Sequence, residues 1–324
     1  MLFPAFYSER HLRVNRMSKI SCSTWSYCTG TFRQWKLEDI VRSISNIGYR
    51  GIEIVAQPWP LAEMPHNEIK SIVDLLSSYN LQLVCISPVF DFLNPQTGSF
   101  EKEIELLKKY VDLAVEMGAP ILRVFGTMRL PEGLTREEGI EIEVRALKEG
   151  ARYAEDADIK LALENHGRFD AVPENLIEIV TRVNSDYLGV CLHPRPRGHE
   201  EDTLKIVDAL GEKIFHTHLM DWKLPPMEYR EIIRLKRIGK SMESLVEKYG
   251  KDLVEKALAW KPEVVALGEG EVDLRTHIEK LRDKGYRGWY NFEGMGGGAG
   301  IPEYYAKRAF DYIKKLLMEL GIEG

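Results

Sequence analysis

Short apolar runs alternate with longer segments of helical spacing along almost the whole chain. Leu37, Ile40, Val41, Ile44 and Ile47 share one face of a helix over Leu37–Ile47. Gly48 stops it, because glycine accepts the left-handed backbone that ends helices. The apolar run Gly51–Val55, carrying Glu53, follows as a strand. The same alternation predicts strands at Ile20–Trp25, Leu81–Ser87, Pro120–Phe125, Ile159–Leu163, Tyr187–Leu192, Lys213–His218 and Arg287–Glu293. It predicts helices over Ile69–Ser78, Phe100–Met117, Glu137–Asp156, Pro173–Val183, Glu200–Leu210, Asp273–Lys284 and Pro302–Leu320. Connections are short except after strand seven. There a charged segment, Lys223–Lys261, carries at least one helical stretch around Tyr229–Tyr249.

Strands alternating with helices predict a parallel sheet. Eight such units in 324 residues predict an α/β fold, a closed (β/α)8 TIM barrel. The barrel is read as one domain over residues 17–324, with a helical insert at about 223–261. The tetrad Gly-Tyr-Arg-Gly occurs at Gly48–Gly51 and again at Gly285–Gly288, each time between a helix and a strand, which supports the count. A doubly wound open sheet is the alternative, but no glycine fingerprint follows the first strand. Residues 1–16 read as an additional or disordered arm. No continuous apolar segment follows their basic residues, unlike a secretory signal.

A net charge of -6 argues against a protein held to nucleic acid by bulk electrostatics. No apolar run reaches membrane-spanning length. Cys22, Cys28, Cys85 and Cys191 show no paired zinc spacing and read as reduced thiols of a cytoplasmic enzyme.

A closed parallel barrel carries its site at the carboxyl ends of its strands. Those ends supply Glu53, Glu164, His166, His193, His216, His218 and Glu293. Alternate strand residues face opposite ways, so His216 and His218 share a face and Thr217 points away. Carboxylates and imidazoles over a dry barrel need neutralising. A divalent cation does this economically: two carboxylates and two imidazoles make an open coordination site with room for a substrate's oxygens.

Three stretches carry a family likeness. Leu161–Gly167 (Leu-Ala-Leu-Glu-Asn-His-Gly), His216–Trp222 (His-Thr-His-Leu-Met-Asp-Trp) and Leu267–Glu293, which opens Leu-Gly-Glu-Gly-Glu-Val-Asp and closes Gly-Trp-Tyr-Asn-Phe-Glu, resemble the xylose-isomerase-like TIM barrels. This is the sugar phosphate isomerase/epimerase superfamily, with its ketose 3-epimerases, hydroxypyruvate isomerases, inosose dehydratases and dehydroshikimate dehydratases. The resemblance runs from about Lys19 to the C-terminus. It implies metal ligation by Glu164, His218 and Glu293. The fourth ligand in that family is usually an aspartate ending strand six; His193-Pro194-Arg195 stands there, so a histidine replaces it. The site then carries two formal negative charges instead of three, which favours Mn, Co, Fe or Zn over Mg. One divalent ion, manganese first, is the expected cofactor.

Glu164 and Glu293 read as ligands, since carboxylates directly after buried strands rarely stand unpaired. One of them serves as general base. His216 reads as a packing group or a support for a ligand; whether His193 coordinates is left open. His166 and Arg123 are placed to hold substrate oxygens, with pairing to Glu164 the other reading of Arg123. Glu53 either accepts from a sugar hydroxyl or holds Arg123. His199 is a further substrate contact, Trp222 a wall of the pocket, and Trp25 a face for a sugar or ring. Gly294–Gly300 is a phosphate or hydroxyl cradle, or else a flexible entrance loop.

The expected activity is divalent-metal-dependent isomerisation or epimerisation of a carbohydrate-like keto or hydroxy compound, by proton abstraction and an enediolate. Two alternatives stand beside it: a metal-dependent lyase or dehydratase acting on a cyclitol or glycoside, and a non-catalytic barrel binding a small molecule. Apurinic endonucleases share this barrel but need more histidine ligands, and strands three and four end in Ser87 and Phe125-Gly126. The expected partner is a small carbohydrate-like substrate, without nucleic acid or membrane; homo-oligomer formation is left open.

Overall fold

The structure, a computed structural model, describes residues 19–28, 35–195, 200–237, 240–261, 263–294 and 302–322. Residues 1–16, His199 and the loop 295–300 lie outside them. Eight parallel strands close into a barrel: β1 (Ile20–Ser23), β2 (Gly51–Val55), β3 (Gln82–Ser87), β4 (Ile121–Val124), β5 (Lys160–Glu164), β6 (Leu188–Leu192), β7 (Ile214–Leu219) and, as the tenth strand in chain order, β10 (Tyr290–Phe292). β10 pairs with β7 on one side and β1 on the other, which closes the ring.

Helices cover the outside. They are α1 (Leu37–Ile47), α2 (His66–Ser78), α3 (Phe100–Met117), α4 (Arg136–Asp156), α5 (Pro173–Val183) and α6 (Glu200–Leu210), then α10 (Leu274–Asp283) and α11 (Pro302–Glu319). Their apolar stripes pack on the strands in one large core that includes Ile40, Ile44, Leu107, Leu147, Ile179 and Ile313. Local chemistry marks the ends. Gly48 sits at φ +116° at the C-terminus of α1. Thr135 and Glu138 form a reciprocal capping box at the start of α4, and Pro173 opens α5. No helix among the described residues is long and apolar enough to cross a membrane.

Two stretches differ from the sequence reading. The first strand stops at Ser23, not Trp25, because the Ser23 hydroxyl accepts from Trp25 N and turns the chain into a 3-10 turn, Thr24–Tyr27. After β7, a two-stranded antiparallel ribbon of β8 (Asp221–Lys223) and β9 (Glu263–Val265) encloses three helices. These are α7 (Met227–Arg237), α8 (Met242–Tyr249) and α9 (Lys251–Ala259), packed around a small core of Ile232, Leu245, Val254 and Ala257. Three-residue strands are too short to show alternation; the helical stretch read around Tyr229–Tyr249 is two helices, α7 and α8, and α9 follows after Gly250.

Inside the barrel, residues two apart on a strand line the bore in layers. Ile121, Ala162, Cys191 and Cys85 fill the lower part with small and apolar groups, closed from below by Phe215 and Trp289. The next inward positions are polar, and they carry the site.

A second polar cluster braces the loops at the barrel mouth. Asp170, after β5, accepts from Gly126 N (3.0 Å) and Thr127 N (2.9 Å), after β4. Thr127 in turn donates to Asp91 Oδ1, after β3 (2.6 Å). Glu143 of α4 comes against Asp170 so closely that a Cβ on Gly126 would collide with both carboxyls. Neither Glu143 oxygen, nor Asp170 Oδ1, has a hydrogen-bond donor among the described residues. Two carboxyls so close and so buried disfavour a second negative charge. Burial and the neighbouring Asp170 push Glu143 well above the carboxylate range, and burial raises Asp170 to about 7.

Folded-state pKa values above the unfolded ones mean that the native state binds more protons in the interval between them. The stability they supply is complete below about pH 4 and is lost as pH rises through about 7. Urea midpoints measured from pH 5 to 8 should fall for the wild type. Glu143→Gln, which keeps a neutral donor towards Asp170, should flatten that fall.

Candidate metal centre

The strand register brings the sequence-predicted ligands to one point. Glu164 ends β5 and pairs across the ladder with Cys191 of β6, so His193, two residues on, projects beside it. His218 of β7 pairs with Asn291 of β10, which puts Glu293 alongside it. His218 Nδ1 lies 2.9 Å from Glu293 Oε2 and 3.2 Å from Glu164 Oε2. His193 Nδ1 lies 3.1 Å from Glu164 Oε1. Ligand-type atoms of Glu164, His193, His218 and Glu293 all lie within 4.8 Å of one another.

The donor set suits a divalent cation. Glu164 Oε2, His218 Nδ1 and His193 Nε2 are buried and make no hydrogen bond among the described residues. Glu164 Oε2 and His218 Nδ1 have only ion-pair neighbours, and His193 Nε2 has no hydrogen-bond partner among the described residues; a cation would satisfy all three. Two carboxylates and two imidazoles match the preferences of zinc, manganese, iron or cobalt. Burial lowers His193 to about 4, so its ring is neutral and has a lone pair to offer at neutral pH.

Charge within the site is tightly compensated. Burial alone would raise Glu164, but His218 and His166 hold it well below the carboxylate range. Burial opposes a charge on His218 too, yet the surrounding anionic groups, Glu293, Glu53 and Glu164 among them, raise it well above the histidine range. Glu293 is raised, chiefly by burial, and the nearby Glu164 and Glu53 add to this.

The remaining predicted residues divide. His166 Nδ1 reaches Glu164 Oε1 (3.1 Å) and its side chain is 34% exposed, so it faces the mouth. Arg123 is buried. Its Nε lies 3.4 Å from Glu164 Oε2, Nη1 donates to Pro88 O (3.0 Å), and the guanidinium lies over the Phe125 ring at 3.7 Å. It pairs with Glu164, the second of its two readings, and Phe125 adds a ring that the sequence reading did not single out for the pocket. Trp222 stacks near His193, with ring centroids 6.4 Å apart. Trp25 is half-buried in the 3-10 turn after β1.

Glu53 corrects its expectation. It holds neither Arg123 nor the open mouth; it is fully buried in the bore, with its oxygens taken by Ser87, Asn291, His216 and His218. Sequence reading missed two supports. Asn165 clamps the His193 backbone, accepting from its N (2.7 Å) and donating to its O (2.9 Å). Asp221 accepts from Trp222 N, Gly268 N and Gly270 N, each at 2.9 Å, and from Val272 N at 3.0 Å. The Leu-Gly-Glu-Gly-Glu-Val-Asp motif thus wraps a carboxylate, and that wrapping holds Trp222 at the site. Its glycines were the available signal, since bare N–H groups in a turn collect anions.

The sequence matches the family described as xylose isomerase-like TIM barrel over residues 41–316. The chain belongs to that family. Fructoselysine 3-epimerase of Shigella flexneri is 22% identical over 308 residues, covering 87% of this chain and 94% of the relative. Among solved structures, the IOLI protein with a bound zinc atom superposes with a TM-score of 0.69 at 18% identity, over 93% of this chain and 99% of that one. The probable 3-DHS dehydratase AsbF of Bacillus anthracis superposes with a TM-score of 0.65 at 17% identity, over 91% and 98%. This xylose isomerase-like barrel therefore has epimerase and dehydratase neighbours and buried groups able to hold a metal.

A cation bound only by the folded chain stabilises it by mass action, about 2.7 kcal/mol when its concentration is 100 times its Kd. Dialysis against a chelator should lower the thermal midpoint, and zinc or manganese should restore it. His193→Ala should shrink that metal-dependent shift.

Proposed function

We propose that the chain is a divalent-metal-dependent isomerase or epimerase of a sugar-like hydroxycarbonyl compound. One observation carries this reading: donor atoms of Glu164, His193, His218 and Glu293, from the ends of four strands, meet within 4.8 Å of one another at the barrel mouth. When bound, a divalent cation, manganese first, would polarise a carbonyl and its adjacent hydroxyl and so acidify the carbon-bound proton.

The residues divide the remaining work. Glu293 keeps 10% side-chain exposure, against 1% for Glu164 and none for His218, so it is the carboxylate most open to a substrate. The more open carboxylate at the mouth is the one placed to take a proton from a substrate carbon. Glu164, held ionised, returns or receives the proton at the other side; two carboxylates in unlike environments take unlike parts. Arg123 keeps Glu164 in place, while His166 and Trp222 border the opening and orient hydroxyls.

Elimination of water is the second reading. It starts from the same proton abstraction, and the three-helix insert leaves the barrel three residues after His218, beside the ligands, where it can enclose a bulkier cyclitol or glycoside.

Glu293→Gln separates these readings from a barrel that only binds. With a panel of ketoses, inososes and keto-glycosides in deuterium oxide, the wild type should incorporate deuterium at the abstracted carbon, and chelator should stop it. The variant should lose roughly 100- to 10,000-fold in rate. Full turnover by the variant would remove Glu293 from the base role. His193→Asp should move the metal preference towards magnesium, read by competition between metals, because it adds a hard anionic ligand.

A further inference from the structure

We propose that Glu53 is a positioning residue for the metal centre: its buried carboxylate decides which nitrogen of His218 faces the cation. The inference rests on the metal-centre reading above and assigns a function to a residue outside the ligand set.

Glu53 Oε2 accepts from His218 Nε2 and His216 Nε2, both at 3.0 Å, and from Asn291 Nδ2 at 2.6 Å. Its other oxygen accepts from Ser87 Oγ at 2.5 Å. These bonds run across the bore, since β1 and β10 separate β2 from β7 in the strand order. A neutral imidazole carries one N–H. Carboxylates can only accept, and without a cation both ring nitrogens of His218 face one; a cation on Nδ1 takes the place of the proton there, so the single N–H that remains stands on Nε2 and donates to Glu53. That leaves the Nδ1 lone pair towards Glu164 and Glu293, 3.2 and 2.9 Å away. Metal-bound histidines are commonly held through the other ring nitrogen in this way, which sets tautomer and ring angle.

Glu53, His216 and His218 also have ligand-type atoms within 4.8 Å of one another, so a second cation there is the rival reading. The surroundings oppose it. Asn291 and Ser87 aim donors at the Glu53 carboxylate, and Asn291 is itself fixed by the Ser21 hydroxyl on its Oδ1 (2.8 Å). A carboxylate so surrounded is serving as an acceptor for protons, not for a second ion. His216 shares the same oxygen and braces it.

The test uses zinc alone as probe on the full chain, with affinity read by competition against a chromogenic chelator. Wild type should bind one zinc. Glu53→Leu, similar in volume but unable to accept, should bind roughly 10- to 100-fold more weakly. Glu53→Gln, which keeps one acceptor oxygen, should recover part of the loss. In the zinc-loaded protein, the His218 Nε2 proton should resonate far downfield by NMR and move upfield in Glu53→Gln, a signature that general loosening of the fold does not produce. Circular dichroism checks the fold. If Glu53→Leu does not fold, Glu53→Gln decides by itself: at least a threefold loss and a moved resonance support the role. Unchanged affinity and an unmoved resonance in a folded variant overturn it while the centre stands. A wild type that binds no zinc, manganese, iron or cobalt overturns the centre itself, and two zincs per chain support the rival site.

Discussion

Three carboxylates are buried together at the top of this barrel, and the rest of the site answers that constraint. Glu53, Glu164 and Glu293 are each withdrawn from water, where an uncompensated charge is very costly. His218 touches all three, with Nε2 on Glu53 and Nδ1 between Glu164 and Glu293. Arg123, Asn291, His216 and Ser87 supply most of the remaining donors. What they leave unfilled is a gap lined by Glu164, His193, His218 and Glu293, of a size and chemistry that suit one cation.

The gap is braced because Glu164 and His218 stand on strands, His193 and Glu293 directly follow strands, and the groups that hold them are buried. The lower bore is plugged by small side chains, so the polar layers cannot sink. Asn165 holds the His193 backbone, and the Asp221 carboxylate gathers four backbone N–H groups to hold Trp222 beside the site. Asp170 ties the loop after β5 to the loop after β4 through Gly126 N and Thr127 N, with Glu143 of α4 packed against it. Pre-organised geometry of this kind lets a site hold charge as it develops without rearranging.

The histidine at position 193 stands within the cluster that could hold a metal. Its ring lies against Glu164 and under Trp222, and burial keeps it neutral. A neutral donor at this place would give a bound cation one negative charge fewer than an aspartate, which suits zinc-like cations better than hard ones.

Much of this was legible in the chain. The alternation of apolar runs and helical faces specified eight β/α units, since a parallel strand needs a crossover helix to return. Polar residues at the ends of buried runs marked Glu53, Glu164, His166, His193, His216, His218 and Glu293 together, and the family resemblance singled out Glu164, His218 and Glu293 among them. Tertiary structure alone decided which partners met. Glu53 and Glu164 look alike in sequence, each a carboxylate on an apolar strand. The closed barrel puts Glu53 in the bore against His216 and His218, and Glu164 within the cluster of Glu164, His193, His218 and Glu293 that could hold a metal. The distinction lies in strand register and in contacts across the bore between residues more than a hundred positions apart, which no local pattern encodes. The same holds for the close approach of Glu143 to Asp170, and for the ribbon and three helices after β7: short elements whose stability comes from what packs on them rather than from their own periodicity.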